Sequence, residues 1–272
     1  MSAAAQAVRQ LRFTNKAFWR NPASAFFTFA FPLMFLVIFT ALLGSGQVQL
    51  PDLPITFELD TSTYYVGAMA TFGVISACFT NIAIQTSFSR DQGLLKRLRG
   101  TPLPAWAYMS ARVVHAMAVG ALLVLITLVF GLLVYHAPLP TGTPLLEFIV
   151  TFLVGSLTFA ALALALTGVI PNADAAPPIV NATILPLLFL SGIFIPLDKD
   201  APAWISTVAD LFPVKHFADA MRSGYLGNVT ARTPLGTFHP FTFDWVDVLI
   251  VAGWGVVGLV LAARFFSWEP RR

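Results

Sequence analysis

The chain has 272 residues, of which 57% are hydrophobic and 11% charged, whereas soluble domains carry roughly 25% charged residues; with a mean hydropathy of +0.77, a soluble enzyme or binding domain is excluded. The unit of organisation is therefore the apolar span of about 20 residues. The formal net charge of +3 is accounted for by membrane topology rather than by a nucleic-acid partner, because the position of each lysine and arginine matters more than their sum, and the single cysteine, Cys78, rules out an intrachain disulfide.

Residues 2–20 do not read as a secretory signal, since Arg9, Arg12, Lys16 and Arg20 are interleaved with apolar residues. Their three-to-four spacing, beside a stripe of Ala4, Val8, Leu11 and Phe18, predicts a helix lying in the membrane surface. Asn21-Pro22 ends it and restarts the chain, proline being well suited to a first helical position. Six spans follow: Ala25 to Gly44, with Pro32 as a kink, then Tyr64 to Phe88, Val113 to Tyr135, Leu145 to Ile170, Ala175 to Leu197, interrupted by Pro186, and Val246 to Ala263. The expected layout is an all-α membrane protein in one domain over 1–272: an interfacial helix at 1–22, spans one to five at 25–197, a reentrant region at 198–245, and span six with a tail at 246–272.

With both termini in the cytoplasm, twelve of the sixteen lysines and arginines fall on the inner side. The other four, Lys199, Lys215, Arg222 and Arg232, sit in the long connection before the last span, where Asp198, Asp200, Asp210 and Asp219 balance them. That connection is too long for a bare loop. Pro202 opens a helix with Trp204, Ile205, Val208, Leu211 and Phe212 on one face, Pro213 breaks it, and Val214 to Arg222 form a second. Such a pair is expected on the outer side, dipping into the leaflet without crossing it, with Phe238, Phe241, Phe243 and Trp245 as an interfacial belt.

Ser89 to Trp106, S-R-D-Q-G-L-L-K-R-L-R-G-T-P-L-P-A-W, is a basic island between spans two and three. Ser89 and Gln92 have capping-box spacing, Gly100 offers a left-handed stop, and Thr101-Pro102 prevents continuation. Leu94, Leu95 and Leu98 share one side of the predicted helix, with Lys96, Arg97 and Arg99 elsewhere.

Chemistry within the bilayer has few carriers, because the middle of every span lacks Asp, Glu, Lys and Arg. Glu147, Asp174 and Asp247 read as solvated helix ends, and His115 as a packed or interfacial histidine. The four histidines are scattered, with no zinc spacing. No lysine follows a glycine, so the phosphate-binding loop is absent and any ATP must be bound and hydrolysed by another chain. Asn81, Gln85 and Thr86 in span two, with Asn181 and Thr183 in span five, either hydrogen-bond between helices or line a substrate path. Phe72, Phe79 and Phe189 either fill the core or present an aromatic surface to an apolar ligand.

Two stretches together resemble the ABC-2 type membrane permeases of ATP-binding-cassette exporters: R-D-Q-G-L-L-K-R-L-R-G-T-P-L-P, and L-S-G-I-F-I-P at 190–196 continuing through A-P-A-W to L-F-P-V-K-H-F-A-D-A-M-R at 211–222. The resemblance covers essentially the whole chain. It implies a half-transporter: two six-span chains paired as a homo- or heterodimer, two copies of a separate ATPase subunit carrying ATP and magnesium, and no cofactor on this chain. It further implies a cytoplasmic coupling helix carrying Arg90, Asp91, Leu94, Leu95, Lys96, Arg97 and Leu98. Asp91 stands where many relatives have the longer glutamate. The T-P-L-P form is similar to drug exporters, so a small hydrophobic or amphipathic compound or lipid is the expected cargo. A lipid-linked glycan is the alternative within the class; an ATP-independent channel or secondary carrier, or a membrane enzyme of lipid metabolism, lies outside it.

Overall fold

The structure, a computed structural model, describes residues 3–43, 47–49, 58–100, 104–196, 202–233, 236–238 and 240–266. The surface helix is α1, Ala3–Trp19, and α2, Pro22–Leu43, restarts where Asn21-Pro22 predicts. The Asn21 side-chain oxygen accepts the Ser24 amide at 3.2 Å, so asparagine caps the helix that proline begins. On α1, Gln10, Leu11, Thr14 and Phe18 turn partly inward while Arg9, Arg12, Lys16 and Arg20 stay exposed. Val8, expected in the apolar stripe, is exposed instead.

An antiparallel ribbon of β1 (Gln47–Gln49) and β2 (Glu58–Asp60) leads into a continuous helix over Thr61–Asp91. It comprises α3 (Thr61–Ile75), one π-helical turn (Ser76–Thr80) and α4 (Asn81–Asp91). Its apolar window is 72% buried, against 11% for α2, so this helix is the central pillar and α2 an outer one. After α5 (Leu94–Arg99), α6 (Ala105–Tyr135) returns antiparallel to the pillar, Leu123 lying over Gly73 and Val66 over Gly131. The fourth long helix, α7 (Thr143–Thr167), pairs with the last, α11 (Trp245–Phe265), running in the same direction. Small residues let these two approach: Gly255 sits against Thr158, whose hydroxyl donates to the Val251 carbonyl at 3.0 Å.

The fifth predicted span needs correction. Its helix, α8, is Ala176–Leu190, which at 1.5 Å per residue is about 22 Å and shorter than a hydrocarbon core. Gly192, at φ +76°, ends it, and Ser191, Ile193 and Phe194 remain buried without helical structure. The early stop is tolerated because α3 supplies partners: the Tyr64 hydroxyl donates to the Gly192 carbonyl and the Tyr65 hydroxyl to that of Phe194. Leu197 lies outside the described residues. Among those described, five helices are long and apolar enough to cross a membrane, and α8 is not one of them.

The long connection contains α9 (Ala203–Leu211) and α10 (Pro213–Leu226), broken at Phe212-Pro213 as the sequence predicts. α10 lies antiparallel against the first half of α7, with Gly227 at Pro144, Gly224 at Phe148 and Phe217 at Gly155. The hairpin tip therefore reaches about the middle of α7. A ribbon of β3 (Ala231–Thr233) and β4 (Gly236–Phe238) follows. Within the expected aromatic belt, Phe243 and Trp245 meet edge to face at 5.0 Å; the Phe238 side chain is outside the described residues.

Candidate functional site

The end of the bundle that carries α1, α5 and the α7–α8 turn holds most of the residues singled out from sequence. The helix predicted to begin at Ser89 does not begin there. Ser89 is inside α4, its hydroxyl donating to the Gln85 carbonyl at 2.7 Å, because the pillar helix continues through S-R-D without interruption. The break comes at Gly93, at φ +69°, a conformation that favours glycine. The Gly93 amide closes on the Arg90 carbonyl at 2.9 Å. Gly100, expected as a left-handed stop, has φ −79°, and Thr101 and Pro102 lie outside the described residues.

Arg90 and Asp91 face inward. Arg90 is 1% exposed, and its guanidinium donates to the carbonyls of Thr167 at 2.8 Å and Ile170 at 2.6 Å. The Thr167 carbonyl is at the C-terminus of α7, where helix geometry leaves it without an intrahelical donor and a cation suits the pole of the dipole, and Ile170 lies in the turn that follows. Asp91 accepts the Ala173 amide on the approach to α8. Adjacent residues of opposite charge thus serve the two sides of one turn, each with the sign the helix ends favour.

On α5 the three leucines divide. Leu95 is fully buried, whereas Leu94 is 37% exposed and Leu98 half-buried. Lys96 and Arg97 are exposed, and the Arg99 side chain is outside the described residues. The three leucines expected on one side of the island thus differ in burial: Leu95 anchors α5 to its own chain, Leu98 is half-buried, and Leu94 is exposed with the cations.

Beside α5 lies a cleft of about 250 Å³ between α1, α4 and the start of α6. Asn81, Gln85, Ser89 and Leu94 line it from one side, and Gln10, Thr14, Phe18, Tyr108, Arg112 and His115 from the others. Arg112 donates to the hydroxyls of Thr86 at 3.2 Å and Ser89 at 2.8 Å and lies 5.3 Å from the Tyr108 ring centroid. Two of the expected path residues, Asn81 and Gln85, thus meet here. The rest separate: Phe72 and Phe189 both contact the buried Phe194, at 5.3 and 5.0 Å between centroids, Phe79 is in the core, and Asn181 is on the exposed face of α8. The charge pattern marks Arg112 only as an inside charge, although Tyr108, Arg112 and His115, at i, i+4 and i+7, share a helical face.

The opposite end carries a second charged cluster. Asp219 pairs with Arg222 and lies 3.9 Å from Lys215, which also pairs with Asp210. His216 Nδ1 meets the Asp247 carboxylate at 2.6 Å and Nε2 the Asp210 carbonyl at 2.9 Å. Both partners are acceptors, so the geometry calls for the doubly protonated ring. Burial opposes that charge, but the Asp247 hydrogen bond, the Asp210 carbonyl and the Asp247 charge outweigh it and raise the His216 pKa. Asp247, read as a solvated helix end, instead joins α11 to α10.

The sequence model described as ABC-2 type transporter matches residues 6–226. The chain belongs to the ABC-2 type transporter family. It is similar to the "Probable multidrug ABC transporter permease YbhR" of Escherichia coli K12, 25% identical over 161 residues covering 59% of this chain and 42% of that protein. It is also similar to a Bacillus subtilis strain 168 protein named as a transport permease, YvfS, 22% identical over 243 residues and 89% of each chain. The matched stretch spans less than half the length of YbhR. Family membership and the long apolar helices make this ABC-2 protein a multi-pass protein of the cell membrane.

Proposed function

We propose that the chain is the transmembrane permease subunit of an ABC exporter, moving a small hydrophobic or amphipathic compound or lipid out of the cytoplasm or inner leaflet with ATP hydrolysed by a separate ATPase subunit. The observation that carries this reading is the mounting of α5. It projects from the pillar helix at Gly93, immediately beyond the Arg90 and Asp91 contacts to the α7–α8 turn. A partner that displaces α5 therefore moves the pillar and two further helices together, which is what coupling requires. Exposed Leu94, Lys96 and Arg97 give that partner an apolar contact framed by positive charge.

In this arrangement the α5 end is cytoplasmic, α8 with the buried stretch behind it forms a sixth crossing, and α9–α10 is a reentrant hairpin in the outer leaflet. Two permease chains pair, and the mostly exposed α2 supplies surface for a neighbour. Two ATPase copies complete the assembly. The multidrug name of YbhR and the T-P-L-P sequence at 101–104 support a drug-like cargo over a lipid-linked glycan.

Coexpression with an ATPase encoded beside this chain tests the reading. The two are expected to copurify, and the permease to change the ATPase's turnover. Leu94→Asp should abolish both effects while leaving membrane insertion intact. Absence of association with any neighbouring ATPase, together with transport that continues without ATP, sinks the proposal in favour of a channel or secondary carrier.

A further inference from the structure

The cleft between α1, α4 and α6 has an unbalanced charge. Among the described residues that line it, Arg112 is the one permanently charged group, and no aspartate or glutamate joins it. The hydrogen-bond partners of the guanidinium are the neutral hydroxyls of Thr86 and Ser89, and the Tyr108 ring centroid lies 5.3 Å from it. Its Nε is enclosed with no acceptor among the described residues. Arg112 lies seven residues inside α6, about 10 Å along the helix, next to Val113, where the third apolar span is expected to begin. A partly buried guanidinium favours a compensating anion, and the described residues lining the cleft supply no carboxylate.

The rest of the lining describes what that anion is attached to. Thr14, Asn81, Gln85 and His115 add hydrogen-bonding groups around the charge, while Phe13, Phe18, Ile82 and Leu94 supply apolar walls. One wall is α1, which keeps Phe13 exposed at the rim of the cleft and Trp19 exposed beside its basic residues, the pattern of a helix lying among headgroups. At about 250 Å³ the cleft is below the ~300–1,000 Å³ typical of sites enclosing a whole drug-sized ligand. It suits a polar head with the first part of a chain.

We propose that this cleft binds the phosphate head of an anionic amphiphile, with the phosphate at Arg112 and the alkyl chain leaving between Phe13, Phe18 and Leu94. The ligand sits at the junction of the surface helix, the pillar and α5, so its presence stiffens the mounting of α5. This inference rests on the membrane position of α1 and not on ATP-driven export, and its test contains no ATPase.

The full-length protein is purified in detergent, exchanged into an equimolar mixture of phosphatidylglycerol and phosphatidylcholine, and examined by native mass spectrometry. One phosphatidylglycerol per chain is expected on the wild type. Arg112→Gln should lower its occupancy at least 5-fold, and Arg12→Gln, on the exposed face of α1, should leave it unchanged. Thr14→Trp fills the cleft without touching the arginine and should also expel the lipid, which keeps the question answerable if Arg112→Gln is not recovered. In parallel, thermal stabilisation by dioctanoyl phosphatidylglycerol is compared with that by inorganic phosphate. Equal stabilisation by the two would overturn an amphiphile in favour of a plain anion. Retention of phosphatidylcholine equal to that of phosphatidylglycerol, or unchanged occupancy in both cleft variants, would overturn the site itself.

Discussion

The guanidinium of Arg90 reaches across 77 residues of sequence to the carbonyl of Thr167, 2.8 Å away, and in doing so closes the end of a helix to which it does not belong. Its second bond, to Ile170, holds the turn that follows. A charge that sequence patterning assigns to the outside of the membrane protein is thereby part of its interior.

Removing that contact should be severe. Arg90→Gln loses two charge-assisted hydrogen bonds, each worth about 1.5–3 kcal/mol. With about 2–4 °C per kcal/mol for a chain of this order of size, the apparent melting temperature in detergent should fall by roughly 6–24 °C. Arg90→Lys, a point charge in place of a planar fork, should recover part of the loss. A melting temperature unchanged in Arg90→Gln would show that the α7–α8 turn does not depend on it.

The two neighbouring leucines of α5 should behave differently. Leu95→Asp buries a carboxylate at a fully enclosed position and should abolish folded expression, read by size-exclusion chromatography. Leu94→Asp, at a 37% exposed position, should give a monodisperse protein. If both variants fold equally well, the division of α5 into an anchoring and a presenting side is wrong.

The packing of α10 depends on absent side chains on α7. A Cβ at Gly155 would come within 2.1 Å of the Phe217 ring, so Gly155→Leu should drive the hairpin from its seat. Overpacking of this kind costs about 1–3 kcal/mol even where the core adjusts. Relief should come from Phe217→Ala in the same chain, and a double variant no more stable than Gly155→Leu would separate the two residues.

The His216–Asp247 contact gives stability a pH dependence. The folded-state pKa of His216 lies above its ordinary 6.5, so the contribution is complete below about 6.5 and is lost as pH rises through the raised folded value. The melting-temperature gap between wild type and His216→Gln should therefore be wide at pH 6 and narrow at pH 9. A gap that widens toward alkaline pH would mean that the ring is neutral in the fold.

What the sequence made legible follows the range of the interactions involved. Long apolar runs, the Asn21-Pro22 restart and the Pro213 break depend on residues close along the chain, and most of the corresponding helices stand within a few residues of their expected limits, α6 beginning eight residues before Val113 and α8 ending seven before Leu197. Capping-box spacing at Ser89 misleads because the same spacing occurs inside a continuing helix, and only tertiary structure decides between them. Likewise α8 stops early because hydroxyls of Tyr64 and Tyr65 wait for the freed carbonyls, more than 120 residues away in sequence. The cleft is not legible in the sequence because its walls come from three separate segments, although Arg112 and His115 share a helical face.

The π turn at Ser76–Thr80 sets the phase of everything beyond it. Each residue advances a helix by about 100°, so the wider turn shifts Asn81, Gln85 and Arg90 around the axis relative to Tyr64 and Phe72. Deleting one residue there would leave hydropathy and length almost untouched. Yet it would swing Gln85 off the cleft and carry Arg90 away from the Thr167 carbonyl in a single step. The pillar behaves as a keyed shaft: its two halves are fixed in angle by one irregular turn, and a wheel drawn for either half misplaces the residues of the other.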